Sequence, residues 1–220
     1  TREIVIAYRG TNLFSLTDWG PNTLAAAAGR IPSQFPHARQ FDARVRELFL
    51  PNAGSTPITQ VGHSLGGGLA AMVAVANRKA GAPILDRAFT FNPIGVETPL
   101  QQAGFSTAGD LSYVRNVSSW FDPAKTVGTR VGVTENVHVP LVAGMPAFIE
   151  AVVGFLGIKL AVALGVGGGV LPAYLLRQHL IGPMRETLDV LPPDRIQQIA
   201  PDLALTSDWN LAGSLASYLQ

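Results

Sequence analysis

The sequence predicts an α/β fold, a mostly parallel sheet flanked by helices, and three observations carry that prediction. Short apolar runs alternate with segments of helical spacing. Gly, Pro, Asn or Asp bounds each run, as expected where strands end. The chain of 220 residues suits one globular domain, 1–220, or one domain with a generous insertion. Strands that alternate with helices are joined by right-handed crossovers, which make neighbouring strands parallel.

Four runs read as strands: Glu3 to Tyr8, Pro57 to Gly62, Arg87 to Asn92 and Leu111 to Val117. Between the first two, Gln34 to Leu50 repeats Phe41, Val45, Leu48 and Phe49 at helical intervals and stops at Pro51. Leu65 to Lys79 is a helix of small residues, with Gly81 expected as its C′ glycine. Arg177 to Leu191 forms a further helical region, followed by two short helices around Asp194 to Ala200 and Trp209 to Leu219.

Composition narrows the classes of function. Lys and Arg number 16 against 15 Asp and Glu, which argues against nucleic acid, since that affinity rests on neutralising phosphates. Only 14% of residues are charged and 47% are hydrophobic, with a mean hydropathy of +0.26. An ordinary soluble protein carries about 25% charged residues. The absence of cysteine excludes disulfides, thiolate metal sites and a cysteine nucleophile. Thr1 opens inside a strand with no signal-like segment, so either a leader has been removed or the chain is a piece of a longer one. An extracellular or membrane-surface location is the expectation.

The chemistry centres on Gly62-His63-Ser64-Leu65-Gly66, a G-x-S-x-G nucleophile elbow. A serine there must sit on a sharp strand-to-helix turn, where side chains two residues before and after it would collide. Both flanking places therefore take glycine. An apolar strand ends at Gly62 and a helix begins at Ser64, as the motif requires. A phosphate-cradling loop is disfavoured, because no Lys-Ser or Lys-Thr follows the glycines.

Ile4-Val5-Ile6-Ala7-Tyr8-Arg9-Gly10-Thr11, Asp18-Trp19 and Gly62-His63-Ser64-Leu65-Gly66-Gly67 together resemble the class 3 lipases, the fungal-type triacylglycerol lipases and their bacterial relatives. The likeness covers roughly residues 3 to 125. It implies the α/β-hydrolase fold, to which the residues themselves add an apolar helical insertion between the acid and the histidine. It also implies an oxyanion hole from Thr11 at the end of the first strand, with Leu65 as second donor. A lid over Asn12 to Ala28 is implied as well. No metal or organic cofactor is needed.

The acid should follow a later parallel strand, on the same sheet edge as Ser64. Asp122 stands just after Leu111 to Val117, in an Asp-Pro similar to the family's, whereas Asp86 and Asp110 precede their strands. For the base, His63 points away from its neighbour on an elbow. His37 breaks the Ser-Asp-His order. His138 and His179 remain, and the family's late histidine favours His179. In the expected triad His179 accepts the Ser64 proton while Asp122 orients the ring.

Residues 139–176 form an unusual apolar insertion with Glu150 and Lys159 as its only charges. A single membrane crossing would separate Asp122 from His179, and two crossings need about 20 residues each. A lid-like hairpin in one leaflet, or a wall of the acyl pocket, satisfies both constraints. The expected function is hydrolysis of lipid carboxylic esters, as a lipase or phospholipase with peripheral contact to a lipid surface. Two alternatives are an esterase or acyltransferase for shorter acyl groups, and a non-catalytic membrane-binding module.

Overall fold

The computed structural model describes residues 4–10, 29–50, 57–78, 86–120 and 122–139, with isolated positions 183, 184, 186 and 194. Its strands are β1 (Ile4–Tyr8), β2 (Ile58–His63), β3 (Asp86–Phe91), β4 (Val114–Ser119) and β5 (Val133–Val137). Its helices are α1 (Phe35–Phe49), α2 (Leu65–Asn77) and α3 (Glu97–Gln102), and a 3₁₀ turn spans Pro123–Thr126. The strands lie in the order β1-β2-β3-β4-β5, and every neighbouring pair is parallel. All carboxyl ends therefore face one edge of the sheet, the edge at which ligands bind in open α/β sheets.

β2 is buried from Ile58 to Gly62, as befits a strand covered on both faces. α2 crosses it closely and is buried continuously from Leu65 to Val75. Its run of Gly and Ala leaves few side chains to hold the helix away from the strands. The helix ends at Asn77, with Arg78 already extended at ψ 121°, so Gly81 is not its C′ glycine.

β4 begins at Val114, later than its apolar run suggests. Asp110 Oδ1 accepts the Ser112 amide at 2.9 Å, and the Val114 amide donates to Leu111. These bonds fold residues 110–113 into a turn before pairing with β3 begins. β5 was not expected as a strand, because Val-Thr-Glu-Asn-Val has a polar centre. It is the outermost strand among the described residues and is largely solvent-facing, so it needs no apolar alternation.

α1 has the expected limits, but of its apolar set only Val45 packs against the core. Phe41, Leu48 and Phe49 are exposed, Phe49 by 68%. The helix instead buries Phe35, Ala38 and Asp42. Asp42 makes this possible by being fully engaged. Its carboxylate accepts Arg46 Nε at 2.7 Å, Gln60 Nε2 at 2.7 Å and Asn77 Nδ2 at 2.9 Å. Arg46 also donates to Asp86 Oδ2 at 2.6 Å, and the Tyr8 hydroxyl donates to Gln60 Oε1 at 2.9 Å. The network ties α1 to β1, β2, α2 and β3. Burial pushes the Asp86 carboxyl up, with Arg46 opposing. Burial, reinforced by the Asp42 charge, pushes the Tyr8 hydroxyl far up.

Candidate active site

Ser64 caps the N-terminus of α2 at φ 58°, ψ −125°. A non-glycine residue in that region costs about 1–3 kcal/mol and persists only where its surroundings enforce it. Here the Ser64 amide donates to Phe91 O at 3.0 Å, while Gly68 and Ile94 amides converge on the Ser64 carbonyl. A Cβ on Gly62 would strike the carbonyl of Gly66, and one on Gly66 would strike the carbonyl oxygen of Tyr8. The two flanking glycines are thus required by backbone contacts, as the elbow motif predicts.

The same closeness brings the end of β1 against the serine. A Cβ on Gly10 would stand 3.5 Å from Ser64 Cβ and 2.6 Å from the His63 carbonyl oxygen. Leu65 opens α2, where the first amides lack intrahelical acceptors and the helix dipole favours negative charge. Thr11, which follows Gly10, lies outside the described residues, as does the expected lid over Asn12 to Ala28.

Asp122 lies beyond the carboxyl end of β4 and is 3% exposed. Its Oδ1 accepts the Ala124 amide at 3.0 Å, and its Oδ2 accepts Arg130 Nη2 at 3.0 Å. Arg130 Nε in turn donates to Pro93 O at 2.8 Å. Asn92, at φ 44°, closes β3; its Oδ1 accepts the Ser119 amide at 2.8 Å, pinning the end of β4. Neither Arg130 nor Asn92 was foreseen. A lone Arg or Asn in a loop carries no motif, and both act through residues distant in sequence.

His138 follows the last residue of β5 at this same edge and is half-buried. Its ring meets the exposed indole of Trp120 edge-on, with centroids 6.0 Å apart. His37 is exposed on the first turn of α1, and His63 is the last residue of β2. His179 and, apart from Val139, the apolar insertion 139–176 lie outside the described residues. Asp86 is the first residue of β3, at the opposite edge, and Asp110 sits in the turn before β4. No helix among the described residues is long and apolar enough to cross a membrane.

A parallel sheet with a serine on a left-handed strand-to-helix turn, and an acid beyond a later strand, defines the α/β-hydrolase fold. A family model described as phospholipase-like, the Tle-like phospholipase domain, matches residues 1–184. This chain belongs to that family. The coarser lipase–esterase kinship read from the sequence therefore stands, without being specific to class 3 lipases. Two solved structures share partial similarity. One is a Pyrobaculum calidifontis esterase in a monoclinic form, 18% identical over 73% of this chain and 76% of that one, with a TM-score of 0.35. The other is RedJ with a PEG molecule bound in its active site, 16% identical over 71% of this chain and 88% of that one, with a TM-score of 0.34. No curated protein matches the chain.

Proposed function

We propose that this protein hydrolyses carboxylic ester bonds of phospholipids through an acyl-enzyme on Ser64. The observation that carries the proposal is the Ser64 backbone at φ 58°, ψ −125°, enforced by Gly62, Gly66, the bond to the Phe91 carbonyl and the bond from the Ile94 amide. The family supports lipid over other esters, and its phospholipase description favours phospholipid over triglyceride. The low charge content and the apolar stretch 139–176 fit a substrate with acyl chains.

In the proposed reaction a histidine takes the Ser64 proton as Oγ adds to the ester carbonyl. The tetrahedral oxyanion is held by the Leu65 amide and by Thr11. Collapse expels the alcohol, which leaves with the proton from the imidazolium. Water then adds to the acyl-serine by the same route, releasing the fatty acid and restoring Ser64. Asp122 fixes the tautomer of the histidine and balances its charge.

Two histidines contend for the base. His179 is the sequence expectation. A second reading, His138, is supported by its position directly after β5, at the edge that also carries Ser64 and Asp122.

The test is labelling with a fluorophosphonate, followed by hydrolysis of phospholipid vesicles and of p-nitrophenyl esters of rising chain length. Ser64→Ala should abolish labelling and turnover together. Labelling with turnover of short esters alone would favour an esterase or acyltransferase. A folded protein that is neither labelled nor active would point to a non-catalytic membrane-binding module.

A further inference from the structure

The acid expected to serve Ser64 has a cationic partner of its own. Arg130 reaches Asp122 with one arm and the Pro93 carbonyl with another, and its side chain is only 12% exposed. Pro93 adjoins Ile94, whose amide bonds the Ser64 carbonyl at 3.4 Å. Backbone contacts hold this link in place: Gly95 donates to Val127 O at 2.6 Å, and Glu97 donates to Thr129 O at 3.0 Å. A Cβ on Gly95 would collide with Gly128. The guanidinium therefore spans the loop beside the nucleophile and the carboxylate beyond β4.

We propose that Arg130 is a positioning residue that fixes the distance between Asp122 and the Ser64 elbow and weakens the pull of Asp122 on the catalytic imidazolium. The inference rests on the reading of Ser64 as nucleophile and Asp122 as acid. Its physical basis is a shared anion. A carboxylate serving a histidine alone stabilises the protonated ring with its whole charge, whereas one already paired with a guanidinium does so with less. The guanidinium also repels the imidazolium directly, and at low exposure that repulsion is poorly screened.

Arg130 itself is held against its own burial. Desolvation pulls its guanidinium down, and Asp122 opposes that shift. Among the described residues, Lys125 on the 3₁₀ turn also acts on the pair. Its ammonium is turned outward to Trp120 O at 3.1 Å and Asn136 Oδ1 at 2.5 Å. β3 contributes only the Pro93 carbonyl through the loop that follows it.

The experiment compares Arg130→Met, Arg130→Gln and Arg130→Lys with the unmodified protein. Turnover of a soluble p-nitrophenyl ester is followed across pH, with a thermal melt on each variant. Arg130→Met should move the acidic limb of kcat/KM upward by on the order of 0.5–1 pH unit. It should also lower plateau kcat by roughly tenfold, through loss of the Pro93 anchor. Arg130→Gln keeps a donor to Asp122 without the charge, so it should move the limb equally and carries the test should the Met variant not fold. Arg130→Lys keeps the charge, so its limb should coincide with the unmodified protein while kcat falls. Limbs that coincide in Met or Gln variants would overturn the inference, leaving Arg130 a structural ion pair. Asp122→Asn separates the two levels: full activity in that variant removes Asp122 from the reaction and the inference with it.

Discussion

The Trp120 amide donates to the Val137 carbonyl at 3.1 Å, so the chain leaves β4 toward Asp122 level with where β5 runs into His138. That relationship makes the choice of base testable. If His138 is the base, His138→Ala should lose about 10⁶-fold in kcat, as triad deletions do, with His179→Ala mild. The reverse outcome returns the role to His179. With either histidine, kcat/KM should fall toward acidic pH, because a protonated ring cannot accept the serine proton.

Ser64→Ala should leave a folded protein, since alanine fits the same backbone, and remove about 10⁶-fold of kcat. A melt beside the activity assay checks both halves. More than a few per cent residual activity in the folded variant would exclude Ser64 as nucleophile.

Gly66→Ala should destabilise far more than its single added carbon suggests. The Cβ would meet the Tyr8 carbonyl, the Arg9 carbonyl carbon and the Gly10 nitrogen, all backbone atoms with little room to shift. We expect a loss of about 3 kcal/mol or more, read from urea unfolding or as failure to accumulate soluble protein. Gly104→Ala is the comparison: its Cβ enters open space, and the cost is confined to about 1 kcal/mol for a left-handed residue at φ +82°.

On α1, the polar residue should matter more than the aromatic one. Asp42→Ala removes the acceptor of Gln60 Nε2 and leaves Arg46 and Asn77 with Asp86, at an expected cost of about 3 kcal/mol. Phe41→Ala, at a half-exposed site, should stay within about 1 kcal/mol. Paired urea melts decide it, and the opposite order would mean that the apolar stripe is the buried one.

Phe155→Asp tests the proposal for the apolar stretch 139–176. A charge at a lipid-contacting position costs several kcal/mol on entering an apolar interface. Activity on phospholipid vesicles should therefore fall much further than activity on a short soluble ester. Equal loss on both would mark the segment as interior to the fold.

The sequence by itself determined what rests on neighbours along the chain. The elbow was legible because its glycines, serine and flanking strand and helix lie within a few residues of one another, and the clash that demands glycine at Gly62 is with Gly66 and Gly67 nearby; the one at Gly66 comes from Tyr8 to Gly10 across the sheet. The succession of strands and helices and the parallel sheet followed from runs and breakers of the same short range. Asp122 could be preferred over Asp86 and Asp110 because strand direction already separates the two sheet edges.

Other features belong to the tertiary structure because they depend on which distant residues meet. Val133–Val137 pairs as a strand only because β4 offers its free side. Phe41, Leu48 and Phe49 keep helical spacing but face outward, and of that apolar set Val45 alone packs against the core. Asp42 is the buried residue because Arg46, Gln60 and Asn77 converge on it from three elements. Arg130 meets Asp122 and Pro93 only after the loops beyond β3 and β4 have closed on each other. A buried charge is tolerable only where its partners stand, and the register of the folded chain sets where that is.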